Sequence, residues 1–263
     1  MPGDYSRQTF DPRKHYAGVL MQQGRVQLDA DWNEQHSIHQ HRDVTETRDV
    51  VGKCGAPLAG GGFNLTLIDG GRDLQISPGR IYVDGILCEL EQEAVPATVA
   101  STTPLKLQLC SLVVDGRALA QGDWVELFAQ GSNPGTDAVR QIMFVDPDKS
   151  LITLDGDAPT VAISPPDNLR LRRVVTFFTQ PDYPDPDIDG LPPGSMPDVS
   201  SPALPPGRYL AYLDVWQREI TALDDPRIRE VALGGPDTAT RLQTMQQVRL
   251  FALSTDSLPA PLD

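Results

Sequence analysis

The chain has 263 residues, of which 40% are hydrophobic and 22% are charged, and its formal net charge is -14. A chain of this length and hydrophobic content suits one large or two modest globular domains and is not fully disordered. The excess of negative charge argues against binding to nucleic acids and to anionic membranes, whose own charge would repel this surface.

The first predicted element is a β-hairpin near the N-terminus. Apolar and polar side chains alternate from Val26 to Trp32, which is typical of a half-buried strand. A shorter apolar run at residues 16–21 is followed by a turn sequence at residues 22–25. Together these patterns predict that residues 16–32 form a hairpin.

A helix is predicted to follow the hairpin directly. Asp31 and Glu34 have the spacing of a capping box, in which each side chain satisfies a free backbone amide of the first turn. The helical segment, residues 32–51, should stop near Gly52, because glycine readily takes the conformation that ends a helix. We expect Asp31 and Glu34 to be structural and to take no part in chemistry.

The predicted helix is unusually polar. Its few apolar residues do not form a continuous stripe. Such a helix either lies on the surface with one shallow contact or bridges to another subunit through polar groups. We therefore predict that residues 1–52 form an assembly segment, with Trp32, Arg42 and Arg48 at its interface.

The rest of the chain is predicted to be mainly β. It contains most of the 24 prolines and 22 glycines, and helical patterns are few. The strongest candidate is a hairpin at residues 79–89 around an Asp84–Gly85 turn, and a short helix is expected at residues 227–233. Alternating or apolar runs predict further strands at residues 63–68, 74–76, 105–110, 124–128, 140–145, 151–154, 169–178, 208–223 and 247–253.

We predict that one small β subdomain is inserted into a larger β core. Residues 121–157 hold three closely spaced strand candidates flanked by glycine, which favours a small meander or barrel. The core would then consist of residues 53–120 and 158–263.

A Pro-rich arm is predicted within the second part of the core. Residues 181–207 contain nine prolines, which remove amide donors and hold the backbone extended. We expect this arm to lie against a neighbouring protein, and a passive surface loop is the alternative.

Two groups of residues have features of metal ligands. His36 and His39 are three residues apart on the predicted helix, but no third ligand is in reach. Asp185, Asp187 and Asp189 begin like a calcium loop, but its twelfth position is a methionine where a bidentate glutamate is needed. The sequence therefore predicts no metal and no other cofactor, with solvated histidines and an acidic loop as the simpler interpretation.

Neither the cysteines nor any catalytic motif points to an enzyme. Cys54, Cys88 and Cys110 are odd in number and widely spaced, which favours neither a disulfide framework nor a zinc site. The sequence has no nucleophile elbow, zinc-protease motif, phosphate loop or dinucleotide-binding glycine pattern. The three tryptophans are better explained as core or interface anchors than as sugar-stacking platforms.

Two long blocks carry a resemblance to a known family. The first comprises FDPRKHYAGV at residues 10–19 and GRVQLDADWNE at residues 24–34, and the second comprises YLDVWQREIT at residues 212–221 and LGGPDTATR at residues 233–241. The chain resembles an uncharacterised domain family found among phage-tail-like proteins, including those of extracellular contractile injection systems. This resemblance implies a setting and no chemical mechanism.

We therefore expect a non-enzymatic structural subunit of a phage-tail-like contractile particle, at its baseplate, fibre or cap. Its partners would be other subunits of the particle, with self-association left open, and neither nucleic acid, membrane insertion nor a small-molecule substrate is expected. The start of the chain has no apolar secretory segment, so assembly in the cytoplasm is expected, with release in the particle as a later step. The alternative is a carbohydrate-binding or carbohydrate-degrading tail protein, which exposed aromatic residues near paired carboxylates would favour.

Overall fold

A computed structural model describes residues 3–131, 138–156, 168–181 and 203–253. Within these residues the protein is mainly β, as predicted, with a single α-helix, α1, at Asp29–Val51. The strands in chain order are β1 Cys54–Gly55, β2 Leu65–Ile68, β3 Asp73–Ile76, β4 Gly79–Val83, β5 Ile86–Leu90, β6 Ala94–Thr102, β7 Leu105–Leu109, β8 Val113–Val114, β9 Arg117–Ala118, β10 Trp124–Ala129, β11 Val139–Asp146, β12 Leu151–Leu154, β13 Leu169–Arg173, β14 Val175–Thr176, β15 Tyr209–Ile220 and β16 Arg241–Ala252.

The predicted N-terminal hairpin is wrong. Residues 15–28 form no strand, and their side chains are almost all exposed. An alternating pattern stabilises a strand only when a sheet partner and a buried face are present, and the described residues provide this segment with neither.

The predicted capping box is also wrong. The helix begins at Asp29, and Leu28 at the cap position offers no side-chain hydrogen bond, so Asp31 and Glu34 both lie inside the first turns. The predicted end is confirmed, since the helix stops at Val51 and the amide of Gly52 donates to the Arg48 carbonyl at 2.8 Å.

Six antiparallel strands form a closed barrel in the order β10, β11, β12, β7, β6 and β13. This finding confirms the predicted inserted barrel, although β6, β7 and β13 join the three strands predicted for residues 121–157. The barrel interior is apolar and consists of Val95, Ala97, Leu105, Leu107, Leu109, Val114, Leu119, Val125, Leu127, Ile142, Ile152, Leu154, Leu169 and Leu171.

A second core lies outside the barrel, between a small sheet and a long hairpin. The sheet has the order β14, β3, β2, and the hairpin pairs β15 with β16 over 12 residue pairs. The buried residues of this core are Ile76, Leu90, Phe177, Leu204, Val248 and Leu250. The predicted strands at residues 208–223 and 247–253 therefore pair with each other, and the second begins earlier than predicted.

Polar side chains connect the two cores. The buried Glu126 carboxylate on β10 accepts a hydrogen bond from Gln75 Nε2 at 3.1 Å and one from Arg172 Nε at 2.6 Å. Because Gln75 belongs to the small sheet and Glu126 to the barrel, this buried contact fixes one against the other.

A third sheet, in the order β1, β4, β5, reaches the helix. Its β4 and β5 form the predicted hairpin, with the turn at Asp84–Gly85. Arg48 of α1 forms an ion pair with Asp84 at 2.8 Å, from Nε to Oδ1. The turn thereby connects the C-terminal end of the helix to the β core.

The remaining predictions concern the C-terminal half. In place of the short helix expected at residues 227–233 there are two 3-10 turns, Pro226–Ile228 and Val231–Leu233. Most of the predicted Pro-rich arm, residues 182–202, lies outside the described residues. Leu204, close to its end, is buried in the second core. Among the described residues there is no helix long and apolar enough to cross a lipid bilayer.

Candidate functional site: a cleft between the N-terminus, the helix and the hairpin tip

The described structure contains an open cleft of about 1560 Å³. Three elements form its walls: the N-terminal segment at residues 3–10, the first half of α1, and the far end of the β15–β16 hairpin at residues 217–223 and 237–242. The N-terminal segment therefore meets a distant part of the sequence, the tip of the β15–β16 hairpin, at this cleft.

The N-terminal segment is held to the hairpin by Tyr5. Its hydroxyl donates a hydrogen bond to the Glu219 carboxylate on β15 and also contacts the Thr240 hydroxyl. Partial burial, followed by the contact with the Glu219 carboxylate, raises the pKa of Tyr5 above its usual value.

The same segment is held to the start of the helix by two carboxylates. Asp29 accepts from the Ser6 amide at 2.8 Å and from the Ser6 hydroxyl at 2.6 Å. Glu34 accepts from the Thr9 hydroxyl at 2.6 Å. The hydrogen bonds from Ser6 favour the charged form of Asp29 and lower the pKa of that carboxyl.

The helix and the hairpin also contact each other across the floor of the cleft. Gln40 Nε2 donates to Gln217 Oε1 at 3.0 Å. On the inner face of α1, Ala30 and Ile38 are buried, and these are the two buried residues of the helix. The helix therefore has the shallow apolar contact that its polar sequence predicts.

The cleft is strongly acidic. Its six lining carboxylates are Asp4, Asp29, Glu34, Asp43, Glu219 and Asp237. Against these, Arg241 is the one arginine or lysine among the lining residues that the structure describes. The electrostatic potential of the cleft therefore favours a positively charged occupant.

Large apolar side chains are exposed in the same cleft. Trp32 is 67% exposed, and Leu223 and Leu242 at the hairpin tip are 88% and 52% exposed. An exposed tryptophan in a concave surface is a usual contact residue for a protein or carbohydrate partner. Trp32 is therefore not a core residue of the chain.

The other predicted interface residues differ in their surroundings. Arg42 is exposed on the helix. Arg48 is already bound within its own chain, since it pairs with the Asp84 carboxylate and its guanidinium also donates to the Asp84 carbonyl at 3.2 Å. Arg48 therefore holds the helix to the β4–β5 turn.

The weak metal candidates do not come together with further ligands. His39 Nε2 makes a hydrogen bond with the Gln35 amide nitrogen at 2.7 Å. Within residues 3–131, 138–156, 168–181 and 203–253, no group of three His, Cys, Asp or Glu residues is arranged to hold a metal. His36 and His39 therefore belong to no such group. Asp185, Asp187 and Asp189 lie outside the described residues.

Sequence reasoning missed Tyr5 and Glu219 as members of this site. No spacing rule connects residues that are 214 positions apart. The one sequence feature that could have pointed to this site is the pair of family-like blocks. Residues 24–34 contain the start of α1, and residues 212–221 and 233–241 contain the hairpin tip. The blocks that carry the resemblance thus converge on the cleft.

Comparison with known proteins identifies a family whose function is unknown. The chain matches the sequence model of a family of unknown function over residues 1–118 and 173–258. No curated protein and no solved structure matches the chain. The unmatched residues 119–172 contain β10, β11, β12 and most of β13, whereas all three walls of the cleft lie within the matched part.

Proposed function

We propose that this chain, which belongs to the DUF6519 family of unknown function, is a structural subunit of a phage-tail-like contractile injection particle. It acts through protein contacts made by its N-terminal region and the cleft. A position in the baseplate, in a fibre or in the cap is compatible with this role.

The observation that carries the proposal is the exposed apolar surface of the N-terminal loop, defined as residues 13–28. Leu20 is 91% exposed and Val26 is 81% exposed, and Tyr16 and Met21 are exposed as well. Isolated apolar residues are common on protein surfaces, but several within one short segment are typical of an interaction site. The loop directly precedes α1, whose own exposed Trp32 extends this surface.

The resemblance of residues 10–34 and 212–241 to proteins of phage-tail-like particles supports the setting. Both blocks contribute to the cleft, and the first block also contains the N-terminal loop. A subunit of this kind needs surfaces for its neighbours, which agrees with a cleft whose walls are joined by hydrogen bonds from Tyr5 to Glu219 and from Ser6 to Asp29.

The direct test is electron microscopy of particles from a strain that lacks this chain. We expect particles that are absent, shortened or missing one component, and we expect the wild-type gene to restore them. Intact particles in normal number, with this chain absent from purified wild-type particles, would refute the proposal.

One observation favours the second candidate, a carbohydrate-binding tail protein. Trp32 is exposed in a cleft that also contains the Glu34 and Asp43 carboxylates. Aromatic rings bind the apolar faces of sugars, and carboxylates accept hydrogen bonds from sugar hydroxyls. This is the combination that distinguishes a carbohydrate site from a plain protein interface.

The carbohydrate alternative predicts a change in tryptophan fluorescence when N-acetylglucosamine oligomers or peptidoglycan fragments are added. Trp32→Ala should abolish this change. Trp216→Phe, at a half-buried position of the hairpin, is the matched control and should preserve it. A wild-type chain that shows no response to either glycan leaves protein assembly as the function of the cleft.

A further inference from the structure

The N-terminal loop has the sequence of a hairpin but forms no strand pair among the described residues. Its turn is formed, with the Arg25 amide donating to the Gln22 carbonyl at 3.3 Å. The flanking limbs carry the alternating pattern, yet the described structure assigns no strand to them. Within the described residues the limbs therefore join no sheet, and they expose apolar side chains as an unpaired strand does.

One contact fixes the base of this loop. The Val19 amide donates to Gln35 Oε1 on α1 at 2.6 Å. Beyond this point Leu20 and Val26 are almost fully exposed, so the tip of the loop is not packed on its own chain. The N-terminal loop thus begins and ends beside the cleft while its apolar tip remains uncovered.

The charge of the loop is opposite to that of the chain. Residues 12–28 contain no aspartate or glutamate, although the chain has 36 acidic residues, and they contain Arg13, Lys14 and Arg25. Of these, Arg13 is paired with Asp11 at 2.9 Å. The loop is therefore a basic and apolar segment on a strongly acidic protein.

The cleft has the complementary properties. It is lined by six carboxylates and a single arginine, and Trp32, Leu223 and Leu242 expose apolar surface within it. Complementary charge guides association and sets its orientation, and burial of apolar surface supplies most of the affinity. A basic, apolar hairpin matches this cleft in both respects.

From this complementarity we infer that the N-terminal loop of one copy docks in the acidic cleft of a second copy of this chain. The loop becomes the paired hairpin on docking, because the second copy provides the buried face that the described residues of its own chain do not provide. Since each copy has both a loop and a cleft, two copies can exchange loops across a two-fold axis and close as a dimer. The inference goes beyond the proposed particle function and does not rest on it.

The test measures the mass of the purified full-length chain by light scattering during size-exclusion chromatography, over a range of concentrations. The wild-type chain should form dimers that weaken as salt is raised, because salt screens the charge attraction. Leu20→Asp with Val26→Asp should raise the dissociation constant at least about a hundredfold, since burial of each side chain corresponds to a factor of about ten or more. Leu58→Asp is the control, because Leu58 is also exposed but lies outside the loop and the cleft. This variant should leave the dissociation constant of the dimer unchanged.

A mixing experiment separates loop-in-cleft docking from other modes of association. A cleft variant, Asp43→Lys with Asp237→Lys, should be monomeric, as should the loop variant. An equimolar mixture of the two should form a heterodimer, because the intact loop of one fits the intact cleft of the other.

Three outcomes would overturn the inference. These are a monomeric wild-type chain at every accessible concentration, a loop variant that still dimerises, and two monomeric variants that fail to associate when mixed. Circular dichroism and melting temperatures of both variants establish that each is folded, so loss of association cannot be attributed to unfolding.

Discussion

At the scale of single residues, Gly85 shows how the helix is positioned. It lies in the β4–β5 turn with φ of 84°, and a Cβ added there would stand 2.2 Å from the Val44 carbonyl oxygen of α1. Gly116 is in the equivalent Asp-Gly turn between β8 and β9 with φ of 71°, and nothing lies within 4 Å of its added Cβ. The two glycines thus share their backbone conformation but differ in what they contact.

We predict that Gly85→Ala destabilises the protein more than Gly116→Ala does. Both substitutions place a side chain in the left-handed region, which costs about 1–2 kcal/mol. Gly85→Ala adds a clash with the helix backbone, of a kind that costs about a further 1–3 kcal/mol. Urea denaturation of both variants measures the difference, and equal free energies of unfolding would show that the helix does not rest on this turn.

Asp29, and not Asp31, is the acidic residue that organises the start of the helix. Its hydrogen bonds from Ser6 lower its pKa, so the charged carboxylate is the form that holds the N-terminal segment. Because the folded pKa is lower than the unfolded one, this contact stabilises the segment fully above the unfolded value of about 3.9. The stabilisation is lost as the pH falls through the folded pKa.

We predict that Asp29→Ala speeds amide hydrogen exchange in residues 3–10, whereas Asp31→Ala does not. Ser6→Ala should raise the Asp29 pKa toward its usual value in an NMR carboxyl titration. Unchanged exchange in Asp29→Ala would mean that the contacts of Tyr5 and of Thr9 with Glu34 are enough to hold the segment in place.

At the scale of secondary-structure elements, the success of sequence analysis depended on how local each element is. The β4–β5 hairpin was predicted because its turn and both strands lie within residues 79–90. β6 was missed, since Pro96 interrupts its pattern and its second partner, β13, lies more than 60 residues away. The N-terminal hairpin was wrong for the opposite reason: its pattern is local, but the described residues contain no surface that pairs it.

The barrel has its own apolar interior, and we predict how this interior contributes to the stability of the protein. Ile152 is fully buried in its interior, and Val113 is exposed in the nearby β8. Ile152→Ala should lower the free energy of unfolding by about 2–5 kcal/mol, through lost burial and a residual cavity. Val113→Ala removes a similar apolar side chain at the surface and should change the free energy of unfolding by less than about 0.5 kcal/mol. Similar losses for both would mean that the barrel interior does not contribute as a packed core.

At the scale of the whole molecule, the N-terminal and C-terminal parts of the matched family region build one surface. The N-terminal segment and α1 meet the tip of the β15–β16 hairpin, and Tyr5 joins them through Glu219. The sequence predicts an assembly surface on the polar helix but not the cleft, because the cleft exists only once the N-terminal segment, α1 and the β15–β16 hairpin are folded together. We propose that this surface carries the function by binding other protein subunits.

The measurement that tests this claim most directly is the amount of the chain in purified particles, determined by mass spectrometry. Trp32→Ala combined with Arg42→Glu alters the exposed side of the helix and leaves the Arg48–Asp84 ion pair in place. We predict that this variant has the melting temperature of the wild type but is missing from the purified particles, whereas Leu58→Asp is retained. Retention of the Trp32 and Arg42 variant at the wild-type level would show that this surface does not bind other subunits.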